Sequence, residues 1–278
     1  QNTAFGTNAL GANTTASCNT AFGCGAMKSN TTGSVNTAFG RGALCSNTTG
    51  VNSTAIGQLA LRDQTTASNG NVAVGDLVGL ATTTGGHNVA MGNSAFRCNT
   101  TGSDNTAIGV LALLENTTAN NNVAVGCRAL CANTTGTRNV VVGNLTLDNG
   151  NANNDSVAIG YASLSNTANS SSSNTAVGAY SLYNNTADNI VAVGYQALCA
   201  NTTATNTTAV GTDALKSNTT GIRNTAFGFK ALQANTTACD NIAIGFCSLV
   251  SNQTGERSIA IGTNALDSSD SNYNVAIG

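Results

Sequence analysis

One five-residue motif, N-T-A-F-G and its close variants, recurs along the whole chain, and its spacing restricts the possible fold more than any other feature. The motif occurs 17 times in 278 residues, and every copy closes with a glycine. Twelve of the 16 spacings between these glycines are 17 residues, two are 16 and two are 18. Helical repeats need roughly 33 residues or more, so this period argues against them. We therefore predict a single uninterrupted repeat array over residues 1–278, and we interpret it as a segment of a longer chain or a filament subunit.

The copy at 36–52 shows the consensus N-T-A-[FIV]-G-x-x-A-L-x-x-N-T-T-G-x-x. We call its conserved columns the strand alanine (Ala38), the closing glycine (Gly40), the turn leucine (Leu44) and the corner asparagine (Asn47). The strand alanine is present in 16 of the 17 copies, and β-branched residues always precede it. Thr, Val and Ile favour strands, and glycine within a β segment often marks a tight bend. Each motif therefore predicts a short strand that ends at a corner.

Stacked coils explain why the same residue types return in the same columns. If each 17-residue unit is one coil, its backbone pairs with the coils on either side at a spacing of about 4.8 Å, and like side chains stack. The A-L and N-T-T segments then supply two further short straight edges. The sequence predicts an all-β fold, a parallel β-solenoid or β-roll of about 17 coils with 17 residues in each.

Alternation along the strand predicts which side chains share a face. The β-branched residue and the bulky residue on either side of the strand alanine are expected to fill the interior together with the turn leucine. The alanines would then point outwards, where a stripe of small residues suits contact with another chain. The candidates for such chain–chain packing are Ala90, Ala107, Ala124, Ala158 and Ala226. The alternative is that alanine fits a tight, flattened coil.

Three copies of the motif suggest a known family. Residues 156–160 (S-V-A-I-G), 258–262 (S-I-A-I-G) and 274–278 (N-V-A-I-G) resemble the repeats in the heads of YadA-like trimeric autotransporter adhesins. Similar N-T-A-x-G and N-T-T-G arrays occur in fibre proteins of phages and large viruses. The resemblance implies a left-handed β-roll, association of three chains, and attachment to host surfaces. Adhesin-head repeats are a few residues shorter, because they lack the N-T-T edge.

Composition argues against several other functions. Only 8% of the residues are charged and the formal net charge is −2, so a basic nucleic-acid surface or a polybasic membrane patch is not expected. No apolar run approaches 18 residues, so we expect no membrane insertion. His87 is the only histidine, and we expect it to be an exposed loop residue. Without a second histidine or paired carboxylates, we predict no enzyme activity, no metal and no cofactor. Most of the nine cysteines are expected to be small buried residues.

The N-T-T column has three interpretations. Stacked asparagine and threonine side chains can form hydrogen-bonded ladders at a corner. The column also contains N-x-[ST] sequons, so its asparagines are candidate glycosylation sites. A regular rank of outward threonines is the feature by which β-solenoids bind ice, but only one threonine of each adjacent pair can face outwards. The candidate glycosylation sites are Asn13, Asn30, Asn47, Asn99, Asn116, Asn133, Asn201, Asn218 and Asn235.

These features favour a structural role. We expect a rigid component of an extracellular fibre, filament or adhesin, located outside the cell, on a cell surface or on a virion. Its expected partner is itself, as a trimer or a head-to-tail filament, with a host surface or a glycan as a further partner. The alternative is a surface-binding module, such as an ice-binding or glycan-binding β-solenoid.

Overall fold

A computed structural model describes residues 1–66, 70–166 and 171–278, and the chain divides into two compact units. Unit 1 comprises Gln1–Arg138, and unit 2 comprises Asn139–Gly278. Each unit is a stack of coils that contribute one three-residue strand apiece, and no helix occurs among the described residues. The predicted parallel β-solenoid with about 17 residues per turn is confirmed. The predictions of left-handed coiling and of a single array over residues 1–278 stay predictions.

Every strand coincides with a T-A-F-like motif, because β-branched residues favour extended backbone. Unit 1 contains β1 (Thr3–Phe5), β2 (Thr20–Phe22), β3 (Thr37–Phe39), β4 (Thr54–Ile56), β5 (Val72–Val74), β6 (Val89–Met91), β7 (Thr106–Ile108) and β8 (Val123–Val125). Unit 2 contains β9 (Val140–Val142), β10 (Val157–Ile159), β11 (Thr175–Val177), β12 (Val191–Val193), β13 (Thr208–Val210), β14 (Thr225–Phe227), β15 (Ile242–Ile244), β16 (Ile259–Ile261) and β17 (Val275–Ile277).

Within each unit, every strand pairs in parallel with the next strand along the chain, alanine against alanine. Val141 is the exception, and it pairs with Ala158. The register survives the irregular spacings, since Ala158 pairs with Ala176 and Ala176 with Ala192. Extra or missing residues are therefore accommodated outside the strands.

The prediction that the A-L segment is a straight edge was wrong, because this segment forms a series of tight turns. In the copy at 36–52, the N–H groups of Ala43, Cys45 and Asn47 donate to the carbonyls three residues earlier, at 3.2–3.3 Å. The turn leucine Leu44 adopts a φ of +51°, and the leucines of most other coils do likewise. That conformation costs a non-glycine residue roughly 1–2 kcal/mol. Bonds to the next coil, such as Leu44 N to Ala60 O at 3.0 Å, stabilise it.

The closing glycine forms the predicted corner, and its backbone has a positive φ there. Gly109 has a φ of +135°, which side chains rarely permit. An added Cβ at Gly109 would lie 2.6 Å from the carbonyl carbon of Gly126, one coil along. Glycine is therefore required at this position for two reasons, the backbone conformation and the close approach of the next coil.

The interior is narrow and is filled mainly by small side chains. In the copy at 36–52, the strand alanine Ala38, a second alanine (Ala43) and the turn leucine Leu44 are completely buried. Thr37 and Phe39, on either side of Ala38, are exposed instead. The predicted orientation of the strand was therefore wrong. The inward strand position is occupied by alanine in 16 of the 17 copies and by the completely buried Val141 in the other.

In the copy at 36–52 and several others, two buried asparagines fill the remaining interior space. We call the residue before the strand the lead asparagine, which is Asn36 in this coil. The Nδ2 atoms of Asn36 and the corner asparagine Asn47 donate to the same carbonyl oxygen, that of Gly50, at 2.8 and 3.1 Å. Asn47 also donates to Oδ1 of Asn30 in the preceding coil at 2.9 Å. The amides thus close each coil upon itself and join it to its neighbour, which confirms the predicted asparagine ladder.

Candidate association surface

The strand alanines do not form the predicted contact surface between chains. Ala90 and Ala107 are 3% and 1% exposed, and Ala124, Ala158 and Ala226 are completely buried within their own coils. A side chain that is already covered by its own chain cannot pack against another chain. The structure therefore contradicts all five candidates and agrees with the alternative, that alanine fits a tight coil.

The residues on either side of each strand alanine form the outward face instead. One rank contains the Thr, Val or Ile that begins each strand, and the other contains the Phe, Ile, Val or Met that ends it. We call these two ranks the strand face. Its exposed members include Phe39 at 52%, Met91 at 46% and Phe227 at 56%. A solvated face of a sheet normally carries polar residues, so this face is unusually apolar.

Aromatic side chains stack along the strand face in unit 1. The ring centroids of Phe5 and Phe22 lie 4.8 Å apart, and those of Phe22 and Phe39 lie 4.7 Å apart with the rings only 4° from parallel. These distances equal the spacing between neighbouring strands. The in-register backbone thus sets the spacing of the rings, whose edges remain open to solvent.

Eight of the nine predicted glycosylation sites are also contradicted, whereas Asn13 stays a prediction. Asn30, Asn47, Asn99, Asn116, Asn133, Asn201, Asn218 and Asn235 are completely buried. Their Nδ2 atoms, which would carry the glycan, donate instead to carbonyl oxygens within the ladder. Asn13 is half-buried, and its Nδ2 donates to the carbonyl of Ala16 at 3.3 Å. A glycan at a completely buried corner asparagine is incompatible with the stacked coil.

The two threonines after each corner asparagine have different roles. The first donates its hydroxyl to the next coil, as Thr100 Oγ1 does to the carbonyl of Thr117 at 2.9 Å. The second faces solvent, which confirms that one threonine of each pair points outwards. In unit 1 the exposed rank, which we call the threonine rank, consists of Thr15, Thr32, Thr49, Thr66, Thr84, Thr101, Thr118 and Thr135.

Several of the charged side chains form pairs at the surface. Arg223 and Asp240 occupy the same column in successive coils and form a bidentate pair, with Nε to Oδ1 at 2.7 Å. The hydrogen bond from Arg223 lowers the pKa of the Asp240 carboxyl, and the nearby charge of Arg257 acts in the same direction. His87 lies 3.4 Å from Asp104 in this column and is exposed, as predicted. Exposed pairs contribute little to stability, so they do not define a site.

No chemical centre is evident among the described residues. They contain no group of three His, Cys, Asp or Glu side chains that could hold a metal ion, and no pocket. The described residues form no helix, and therefore none that is long and apolar enough to cross a membrane. The expectation of mostly buried cysteines was wrong: Cys131 is buried, whereas Cys18, Cys24, Cys98 and Cys127 are exposed.

The strand face was missed because a three-residue strand leaves the choice of inward face open, and hydrophobicity favoured the wrong one. A usable signal was present in the columns themselves. The strand alanine hardly varies in size, whereas the residues beside it range from Thr to Phe. A close-packed interior tolerates little change in volume, so the column of uniform size is the one that faces inwards.

Comparison with known proteins adds no family assignment. No protein-family model matches the chain. A search of curated proteins likewise finds no match.

Proposed function

We propose that this chain is a structural component of an extracellular fibre, filament or adhesin, and that copies of it associate through the strand face. Its location would be extracellular, at a cell surface or on a virion. The observation that carries the proposal is the apolar, in-register strand face left exposed by an interior made of alanine, leucine and asparagine.

The extent of the strand face supports association. In unit 1, eight three-residue strands, each about 10 Å long and spaced about 4.8 Å apart, give a face of about 380 Å². Contiguous apolar patches of this size on soluble proteins are often binding surfaces. Unit 2 presents an equivalent set of outward residues on nine strands. Ranks of Thr, Val, Ile and Phe are also geometrically regular, which suits packing against the same ranks of another copy.

The resemblance to trimeric adhesin heads agrees with this proposal, and the orientation of the strand removes one difficulty. Association no longer requires the strand alanines, because the Val and Ile of the S-V-A-I-G copies face outwards. Val157 and Ile159, for example, lie on either side of the buried Ala158. Both a trimer and a filament remain compatible with this face.

Native mass in solution tests the proposal. Light scattering is expected to give a multiple of 27.6 kDa for the wild-type chain. The substitution Phe39→Asp, which places a charge on the strand face, should lower that mass or make it depend on protein concentration. Val35→Asp is the matched control, because Val35 is equally exposed (57%) but lies outside the face at a position where aspartate is tolerated.

Circular dichroism should show that both variants keep the wild-type fold. A wild-type mass of one chain at all concentrations would refute the proposal. If the wild type associates and Phe39→Asp has the same native mass, association uses a different surface.

The threonine rank favours a second candidate, a module that binds ice. Its exposed hydroxyls repeat once per coil over eight coils of unit 1. A thermal-hysteresis assay is the direct test, and Thr101→Lys should reduce the activity whereas Asp104→Lys, in another exposed column, should not. If the wild-type chain shows no hysteresis, this candidate is removed.

A further inference from the structure

Four of the five tyrosines of the chain form one cluster in unit 2. Tyr161 and Tyr195 occupy the same coil position, directly after their closing glycines, and each is 47% exposed. Tyr180 comes from the coil between them and is half-buried. The cluster lies outside the strand face and has no part in the association proposed above.

Tyr180 is the centre of this cluster. Its ring centroid lies 5.5 Å from that of Tyr161, 5.8 Å from that of Tyr183 and 6.4 Å from that of Tyr195. All three neighbours are nearly perpendicular to it, at 76°, 69° and 84°. Partial burial and the neighbouring hydroxyl of Tyr161 raise the pKa of Tyr180.

The backbone holds the rings in place. Tyr180 N donates to the carbonyl of Tyr161 at 3.0 Å, so the two residues are fixed opposite each other in adjacent coils. The ring of Tyr180 is thereby brought next to that of a residue 19 positions away in the sequence. Two phenols held this close, with no intervening charged partner, suit one particular chemistry: oxidative coupling.

We propose that Tyr161 and Tyr180 are a site of oxidative phenol coupling, which joins adjacent coils by a dityrosine bond. A one-electron oxidant of the peroxidase type, with hydrogen peroxide as its substrate, removes one electron and the hydroxyl proton from each phenol. The two phenoxyl radicals couple through ring carbons ortho to oxygen, which forms one carbon–carbon bond. Each coupled carbon then passes its hydrogen to its oxygen, which restores both aromatic rings. Overall, two tyrosines lose two hydrogens and hydrogen peroxide becomes two waters.

The test is to treat the folded, full-length chain with a peroxidase and hydrogen peroxide at high dilution. The single-chain fraction is then examined for dityrosine fluorescence and, by peptide mapping, for a Tyr161–Tyr180 cross-link with the loss of two hydrogens. Tyr180→Phe should abolish this product, because it removes the central phenol while keeping the ring. Tyr161→Phe should eliminate the mapped cross-link and leave only weaker coupling of Tyr180 to its other neighbours.

Tyr273→Phe is the matched control, since Tyr273 is 67% exposed and lies outside the cluster. It should leave the intrachain product unchanged, and denaturant should eliminate the product from the wild type because the fold supplies the proximity. The absence of intrachain dityrosine in the folded wild type would overturn the proposal. It would also be overturned if Tyr180→Phe gave as much intrachain dityrosine fluorescence as the wild type. The result is independent of native mass, so it can fail or succeed separately from the proposed fibre function.

Discussion

Two coils, 36–52 in unit 1 and 139–155 in unit 2, solve the same packing problem in different ways. In the first, Asn36 and Asn47 both donate to the carbonyl of Gly50. In the second, the lead asparagine Asn139 still donates to the equivalent carbonyl, that of Asn153, at 2.6 Å. Its corner position, however, is Gly150, and the buried amide is that of Asn153, three residues later.

The difference teaches which parts of the coil are indispensable. Both amide atoms of Asn153 are buried without a hydrogen-bond partner, whereas Nδ2 of Asn47 has two. The second coil nevertheless keeps its strand register and its turn leucine, Leu147. Backbone pairing and the apolar interior therefore maintain the stack, and the corner ladder adds stability that one coil can forgo.

The largest expected effect concerns a residue that both coils share, the closing glycine. Gly40→Val and Gly143→Val should each destabilise their unit by about 3 kcal/mol or more, because both combine positive φ with overpacking. The φ values are +142° and +138°, and an added Cβ would lie 2.6 and 2.8 Å from the carbonyl carbon of the next closing glycine. Urea unfolding measures the loss, with the exposed Arg41→Val as control. If only one of the two were sensitive, the coils would not share this corner.

Asn47→Ala should have the next largest effect. It removes three hydrogen bonds, which leaves the Oδ1 of Asn30 and the carbonyl of Gly50 each without one donor, and Nε2 of Gln64 without one acceptor. We expect a loss of about 2–4 kcal/mol in the free energy of unfolding. Amide hydrogen exchange should show that the loss is concentrated in the neighbouring coils. Unchanged protection there would show that the ladder contributes nothing.

Asn153→Ala should have the opposite sign. Because both of its buried amide atoms lack partners, removing them should stabilise unit 2 by about 1 kcal/mol. Alanine is present at the equivalent position of other coils, for example Ala119 and Ala238, so the smaller side chain fits. The measurement is the same urea titration as for Asn47→Ala. A destabilisation of similar size at both positions would erase the distinction between the two coils.

The smallest effect is expected at the last corner of unit 2, where a side chain replaces a backbone carbonyl. In unit 1, the N–H groups of Thr31, Thr32 and Gly33 all donate to the carbonyl of Thr48, at 2.9–3.3 Å. At the last corner, three successive N–H groups, those of residues 253–255, donate instead to Oδ1 of Asp270 at 2.7–3.1 Å.

These backbone hydrogen bonds, led by that of Thr254, lower the pKa of Asp270 in the folded state. The stabilisation is therefore present above the unfolded pKa of about 3.9 and is lost as the pH falls through the lower folded value. Thermal unfolding of the wild type and of Asp270→Asn should differ near neutral pH and converge in acid. A difference independent of pH would show that the charge of Asp270 is not involved.

The sequence was sufficient to predict the stacking but not the direction of the side chains. The 17-residue spacing of the glycines and the β-branched residues before them specify one strand per coil, because parallel pairing brings like columns together. Whether Ala107 or its neighbours Thr106 and Ile108 face inwards depends on how closely the turns approach the strand. That distance follows from the positive φ values of the turns, including leucines, which composition does not indicate.

The candidate surface and the tyrosine cluster illustrate the same limit at longer range. Phe22 and Phe39 are one coil apart in the sequence, so their stacking follows directly from the period. The approach of Tyr161 to Tyr180 does not, because the two occupy different columns and are separated by an 18-residue spacing with an inserted residue. Columns predict contacts between equivalent positions, whereas contacts between different positions require the path of the turns.

The irregular coil at 139–155 also bears on how a self-similar chain finds its correct alignment. Where every column is the same, a slip by one whole coil puts alanine on alanine and asparagine on asparagine, so the misaligned stack loses little energy. Thr146, Gly150 and Asn153 occupy positions that hold alanine, asparagine and glycine in the coil at 36–52, so a slipped pairing places them against the wrong neighbours. Irregular coils thereby specify the register, because they widen the energy gap between the native alignment of the coils and the slipped alignments.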